Sequence, residues 1–296
     1  MPAIKPYDLN KIRYFKWVDH PESISVGPRG EAYTTGTGFQ VYRLNVEDNT
    51  SEQFASTAPR RMLGQAVDAD GNLYCADIGH YSSPDIISKV IRLTPDGKES
   101  VYATAPGGKG FLCANYPAFD RHGNMYLSDS GDWSEKINGH IYRIPPGGGE
   151  AQIWYPEPVY TPNAIALDAA EEFLYFVDSF GNGVARIAIK KDGSAGALEY
   201  VVYLPHHVPD GLALDEEGNV WISCHRPDVI YILDLKTRRL EVFAEDWRGE
   251  ALRAPTDVAF AGPDREVLLA ASLGHHVVHR FDYVGVRGLR LNNPTL

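Results

Sequence analysis

Glu22, Asn115, Asn163 and Asp210 lie far apart in the chain, yet each stands four residues before an apolar residue of one recurring local pattern: Val26, Phe119, Leu167 and Leu214. Leu63 and Thr256 hold the same place before Val67 and Phe260. Carboxylates and carboxamides without histidine or cysteine make an all-oxygen donor set, which suits a hard divalent cation. Calcium fits it best, because it takes mixed carboxylate and amide oxygens in irregular geometry, whereas magnesium demands a tight octahedron and zinc prefers nitrogen or sulfur. Zinc, magnesium and manganese stay as alternatives. Glu22 and Asp210 would balance the charge of such an ion, and two carboxylates held together without one repel until one takes up a proton. The competing reading is turn chemistry, since acidic and amide side chains at strand starts also satisfy nearby backbone N–H groups.

Copies of a single unit must bring these residues together. Asp68-Ala69-Asp70-Gly71-Asn72, Asp120-Arg121-His122-Gly123-Asn124 and Asp215-Glu216-Glu217-Gly218-Asn219 match position for position, each between two short apolar runs. A fourth copy at 166–175 is longer by one residue at its turn and lacks the Gly-Asn pair, a fifth lies at 25–33, and a degenerate sixth spans 259–269. An apolar run, a turn of Asp and Gly, and a second apolar run ending in an aromatic form a hairpin signal. Third strands follow at 40–44, 89–93, 140–144, 184–188, 229–233 and 277–281, and fourth strands such as 100–103 and 240–244 complete the set. The pattern predicts an all-β, six-bladed β-propeller with four-stranded antiparallel blades, and residues 1–296 as a single domain. Closing such a ring requires 13–18 to pair with the last blade, and 145–149 is expected to be a hairpin turn. Equivalent positions of the blades then surround one channel, with the oxygen donors at its mouth.

The repeats also explain the length, since 296 residues is roughly twice an average domain. The chain is 44% hydrophobic and 23% charged, with 28 Gly and 20 Pro, a mixture rich in strands and turns. Lys and Arg total 28 against 39 Asp and Glu, and the net charge of -11 repels a phosphate backbone, which argues against nucleic acid as a partner. No stretch of 18 apolar residues occurs and the first 18 residues lack a signal-peptide core, so no membrane association and a cytoplasmic location are expected. Cys75, Cys113 and Cys224 are widely spaced, which predicts free, buried thiols.

Pro162-Asn163-Ala164-Ile165-Ala166-Leu167-Asp168 and Pro209-Asp210-Gly211-Leu212-Ala213-Leu214-Asp215 resemble characteristic segments of the SMP-30/gluconolactonase/luciferin-regenerating enzyme family, which includes regucalcin. The likeness extends to Pro21-Glu22-Ser23 and to Pro255-Thr256-Asp257-Val258. It implies a propeller binding one divalent metal, often calcium, through Glu22, Asn163 and Asp210, with Asn115 assisting metal or substrate. The implied activity is hydrolysis of a lactone, frequently of a sugar acid. Two positions depart from the family pattern: Cys113 stands where sugar-lactone members carry Arg, and Glu22-Ser23-Ile24 replaces Glu-Gly-Pro.

Lactone hydrolysis needs a polarised carbonyl, an activated water and a stabilised oxyanion; Asp210 is the expected general base. Asn115, Cys113, Asp129, Trp133, His225 and His275 are the expected substrate-binding groups for a small molecule, with Asp77 and Asp178 at the same mouth; the Asp residues could equally cap turns. His206-His207 and His275-His276 lack accompanying ligands in register for a zinc site. No Gly-x-Ser-x-Gly elbow occurs, and Gly107-Gly108-Lys109-Gly110 makes a poor phosphate loop. The selective loops are expected at 78–88 and 132–138. A lyase, isomerase or condensing enzyme on the same scaffold, or a non-catalytic calcium- or ligand-binding propeller, are the rival readings. Substrate identity and oligomeric state are not encoded in any motif.

Overall fold

The recurring Asp-x-x-Gly-Asn turn is held by its own aspartate. Asp215 Oδ1 accepts from the backbone N–H groups of Glu217 and Asn219 at 3.0 and 2.8 Å, while Oδ2 accepts from Asn219 Nδ2 and the indole of Trp221 at 2.8 and 2.9 Å. Asp68 repeats the arrangement with Asp70, Asn72 and the Tyr74 hydroxyl, and Asp120 with His122 and Asn124. The glycine of each turn sits at positive φ, +81° at Gly71 and +85° at Gly218, which a side chain would strain. The most regular motif in the sequence is therefore a turn device. Trp221 is fully buried, so Asp215→Ala strands its indole N–H together with an amide and two backbone donors. We expect the variant to lose about 3 kcal/mol of stability in urea unfolding, with the native fold retained at low denaturant.

The computed structural model describes residues 6–36, 40–56, 61–79 and 85–296. Its strands form six sheets around a central axis. Blade one is Ile24–Val26, Ala32–Thr35, Gln40–Asn45 and Thr50–Ser56; blade two is Met62–Val67, Leu73–Asp77, Lys89–Leu93 and Glu99–Thr104. Blade three is Ala114–Phe119, Met125–Asp129, His140–Ile144 and Gln152–Ile153; blade four is Pro162–Leu167, Phe173–Asp178, Gly183–Ile189 and Ala195–Tyr203. Blade five is Val208–Leu214, Asn219–Arg226, Asp228–Asp234 and Arg239–Glu245. Blade six is Pro255–Ala261, Val267–Ser272, Val277–Phe281 and, from the other end of the chain, Arg13–Lys16. The six-bladed propeller expected from the repeats is thus the observed fold. One detail differs: beyond the turn at 145–148, Gly149–Glu150 lies parallel to Glu99–Thr104 and adds a fifth strand to blade two. The fourth strand of blade three is correspondingly short.

The expected closure is present. Arg13–Lys16 pairs antiparallel with Val277–Phe281, Phe15 opposite Val278. Apolar side chains form six clusters, each spanning two consecutive blades. Tyr74 meets Phe119 edge-on at 5.0 Å across the seam of blades two and three, and Trp221 meets Phe260 at 5.2 Å across that of five and six. Tyr33, Tyr74, Tyr126, Tyr175 and Trp221, the aromatics that end five of the repeats, all lie in these seam clusters. At the channel end away from the oxygen donors the C-terminal segment crosses the inner strands: Leu289 N–H donates to Leu214 O, Asn292 Nδ2 to Phe119 O, and Asn293 Nδ2 to both Val26 O and Val67 O. All three cysteines are buried free thiols. Among the described residues no helix is long and apolar enough to cross a membrane.

Candidate functional site

The inner strands slip register where the oxygen donors stand. Between Met62 and Gln65, Ala114 and Pro117, Pro162 and Ile165, Pro209 and Leu212, and Pro255 and Asp257, the inner strand carries one residue more than its neighbour. Leu63, Asn115, Asn163, Asp210 and Thr256 fall inside these bulges, and Glu22 lies just before the inner strand of blade one. A bulge re-aims a side chain that the regular pleat would fix. Here the repeated irregularity brings the equivalent residues toward one another at one channel end.

Asn163 Nδ2 donates to Asp210 Oδ1 at 2.5 Å and to Ser179 Oγ at 3.2 Å. Asp210 Oδ2 lies 2.8 Å from His225 Nδ1. The contact is off a hydrogen-bond line. Asn115 Nδ2 donates to Ser130 Oγ at 2.8 Å, and that hydroxyl donates on to the carbonyl of Pro162 at 2.7 Å. Thr256 Oγ1 donates to the main-chain oxygen of Glu22 at 2.7 Å, anchoring the start of blade one to blade six. Glu22 carries its carboxyl well above the ordinary carboxylate range, because it is buried and faces both Asp210 and Asp257.

Whether a cation suits this group of residues is decided by two features of the chain itself. Asn115 Oδ1 is buried with no hydrogen-bond partner. The Glu22 carboxyl faces other acids, and no cationic side chain pairs with it among the described residues. A positive ion near Glu22, Asn163 and Asp210 would relieve the repulsion and give the stranded oxygen a use. The donor set is all oxygen, as calcium requires.

The other expected site residues are placed unequally. Cys113 is near the cluster: its thiol accepts from Trp133 Nε1 at 3.2 Å, and burial first, with Asp129 and Glu22 adding, pushes it up to about 12. It is a thiol at neutral pH rather than a nucleophilic thiolate. Trp133 meets Phe180 edge-on at 5.7 Å, and Phe180 meets Tyr160 at 6.1 Å, a half-exposed aromatic wall beside Cys113. Asp129 accepts from the backbone N–H groups of Leu112, Cys113 and Gly131. Asp178 likewise accepts from Thr161 and Gly181, and Asp77 from Gly79. These acids hold the loops that carry the ring residues, which is the turn reading of their role. His225 joins the cluster through Asp210, whereas His275 lies beside His279 at 6.1 Å, its pKa lowered by burial and then by Arg253. Of the two expected selective loops, 78–88 lies in part outside the described residues, at 80–84.

Asp257 is the residue that motif reading passed over. It directly follows the ring position of blade six, where Gly64, Ala164 and Gly211 stand in blades two, four and five. Its Oδ2 accepts from Tyr116 Oη at 3.0 Å and from Ile24 N–H at 2.8 Å, and burial raises it to about 8 despite these donors. A Cβ on Gly211 would stand 2.3 Å from Asp257 Cα, so a glycine is needed for the two strands to approach. The available signal was an acid and a tyrosine at a layer otherwise filled by small residues. The cavity at the opposite channel end, lined by Ile24, Tyr116, Ile165, Leu212 and residues 289–293 together with Gln65, Asp168 and Glu171, contains none of the ring carboxylates.

Residues 37–274 match the family described as SMP-30/Gluconolactonase/LRE-like region. The chain belongs to this family. Among curated relatives of the SMP-30/gluconolactonase family, it is 20% identical over 241 residues to lactonase drp35 of Staphylococcus saprophyticus, covering 79% of this chain and 72% of that protein. Its fold is similar to a gluconolactonase of Xanthomonas campestris, with a TM-score of 0.75 at 17% identity over 95% and 91% of the two chains. It is likewise similar to a calcium-binding protein, regucalcin, of Agrobacterium tumefaciens, with a TM-score of 0.74 at 16% identity over 99% of each. At these identities the structural likenesses speak for the fold.

Proposed function

We propose that this protein is a divalent-metal-dependent hydrolase that opens a small lactone at the mouth of the propeller channel. The observation that carries this reading is the convergence of Glu22, Asn163 and Asp210 from three blades, with Asn163 2.5 Å from Asp210 and Glu22 repelled by the same carboxylate. Glu22, Asn163 and Asp210 would hold the ion, with Asn115 Oδ1 free to ligate it or to receive a substrate hydroxyl. Calcium is the ion we assign, on donor chemistry. Once bound, such an ion supplies polarisation of a carbonyl and a more acidic water. Lactonase and gluconolactonase are the names of relatives and neighbours on this scaffold, which supports the reaction class.

The chain's own groups supply proton handling and orientation. Asp210 Oδ1 is fixed by Asn163, which leaves Oδ2, next to His225, to accept a proton from an attacking water. Burial by itself lowers the His225 pKa, yet Asp210 outweighs it and the net shift is upward. His225 therefore holds its proton to higher pH than a free imidazole does, suited to delivery to the leaving alkoxide. Hydrolysis adds one water across the acyl C–O bond and releases a hydroxy acid.

The Trp133–Phe180–Tyr160 wall, beside the buried Cys113, presents apolar surface where an aldonolactone would need donors to its hydroxyls. The substrate we assign is accordingly a lactone with an apolar or aromatic substituent. The test is acid release in a pH-stat across aldonolactones and alkyl- or aryl-substituted lactones, with calcium and then with chelator. Turnover of the apolar group that stops on chelation and returns with calcium is expected. If no lactone releases acid above the buffer rate in the presence of calcium, the hydrolase reading fails.

A further inference from the structure

On the same side of blades one and six, outside the oxygen ring, Asp19, His20 and His276 place one donor atom each within 4.8 Å of one another. Asp19 Oδ1 lies 2.8 Å from His20 Nδ1 and 3.2 Å from His276 Nδ1, and the two imidazole rings stand 4.1 Å apart at 63°. His20 is held at a φ of +38°, a conformation costly for a residue with a side chain. The backbone N–H of Asp19 donates to the Tyr42 hydroxyl at 3.3 Å, so blade one fixes the segment that carries both residues. His276 comes from the turn between Val267–Ser272 and Val277–Phe281 of blade six. In the sequence His276 stands beside His275 with no ligand in register, because its partners sit near the other end of the chain.

We propose that Asp19, His20 and His276 form a second cation site, for a transition metal of the zinc class, separate from the oxygen ring. Two imidazole nitrogens and one carboxylate oxygen suit zinc and are a poor set for calcium. Zinc bonds of about 2.0–2.1 Å in a tetrahedron place donors roughly 3.3 Å apart, so the 3.2 Å contact already matches and the 2.8 Å contact needs to open by about 0.5 Å. With no ion bound, His20 Nδ1 hydrogen-bonds the Asp19 carboxylate and His276 Nδ1 lies beside the same oxygen. A cation takes the Nδ1 lone pairs, each neutral ring keeping its proton on Nε2, and exposure of His276 leaves room for water as the fourth ligand. The position gives the ion a role: it ties the crossover that leaves the closing strand Arg13–Lys16 to the neighbouring turn of blade six. A site that binds only the folded ring stabilises it in proportion to occupancy.

The test uses the full-length, tag-free protein with calcium in excess. Zinc is titrated by calorimetry and counted by elemental analysis after dialysis, and cobalt is added in parallel as a spectroscopic probe. One zinc per chain beyond any calcium is expected, with a rise in Tm and a visible cobalt absorption band of tetrahedral type. His20→Gln and His276→Gln should each weaken zinc binding by at least about tenfold and remove the cobalt band. Both side chains are at least 41% exposed, so the variants should match the parent Tm without zinc. Asn163→Ala, which disturbs the oxygen ring, should keep the zinc. Zinc binding that is absent, that is indifferent to both histidine variants, or that disappears with Asn163→Ala would overturn the second site, and none of these results depends on whether the protein is a lactonase.

Discussion

Asp210→Asn is expected to lower lactone hydrolysis about 10³-fold while leaving the Tm of the calcium-free protein unchanged or raised. The substitution keeps size and shape but removes the charge that three neighbours use. Asn163 Nδ2 donates to Oδ1, His225 Nδ1 lies against Oδ2, and Glu22 is repelled by the carboxylate as a whole. Replacing the carboxylate therefore removes the base, lets the His225 pKa fall toward the value burial alone would set, and relieves Glu22. The first two effects act on rate, whereas the third acts on stability with the opposite sign. Calcium binding should weaken in parallel, since one of two ring charges is lost. Steady-state kinetics in the pH-stat, calcium titration and a thermal melt in chelator separate these effects. A variant that keeps both its calcium and its rate would remove Asp210 from the mechanism, whereas one that unfolds would make it a structural residue.

Phe15→Ala should cost about 4 kcal/mol in urea unfolding, and deletion of residues 1–18 should abolish cooperative folding. Phe15 is fully buried between blades one and six, in a cluster with Ile24, Tyr42 and Leu44 on one side and Leu269, Ala271 and Val278 on the other. It also sits on the strand whose pairing with Val277–Phe281 closes the ring. Truncation to alanine leaves a cavity at that seam, and removing the strand exposes an unpaired edge on blade six as well. The apolar clusters lie between blades rather than inside them, so opening one seam loosens the next. If the deletion melts as sharply as the full chain, closure by the first strand is not what holds the propeller together.

The repeat of Asp68, Asp120 and Asp215 with their glycines was sufficient for the fold, because a local turn motif recurring at the spacing of a blade has few ways to bury its apolar runs. The same motif says little about chemistry: its aspartates accept from their own turns and its aromatics fill seams. Ring residues were legible by a different route, since symmetry brings equivalent positions together whatever their type, and Glu22, Asn163 and Asp210 stand at one such position. Distances were not legible. The sequence gives no sign that Asn163 reaches Asp210, that His225 pairs with Asp210 while His275 lies with His279, or that Asp129 faces backbone donors. Those outcomes depend on rotamers and on the register slips of the inner strands, which follow from how neighbouring blades meet.

The sequence alone determined the number of blades, the closing strand, the burial of the three cysteines and the type of donor at the channel mouth, because periodicity and residue chemistry are local properties. Only the tertiary structure decided which of those donors hydrogen-bond one another, which acids accept from loop backbone, that Asp257 lies buried against Tyr116, and that His20 meets His276. The physical reason is that these pairings join segments at opposite ends of the chain or across a blade seam. Contact there is set by ring closure and bulge geometry rather than by anything within a single repeat.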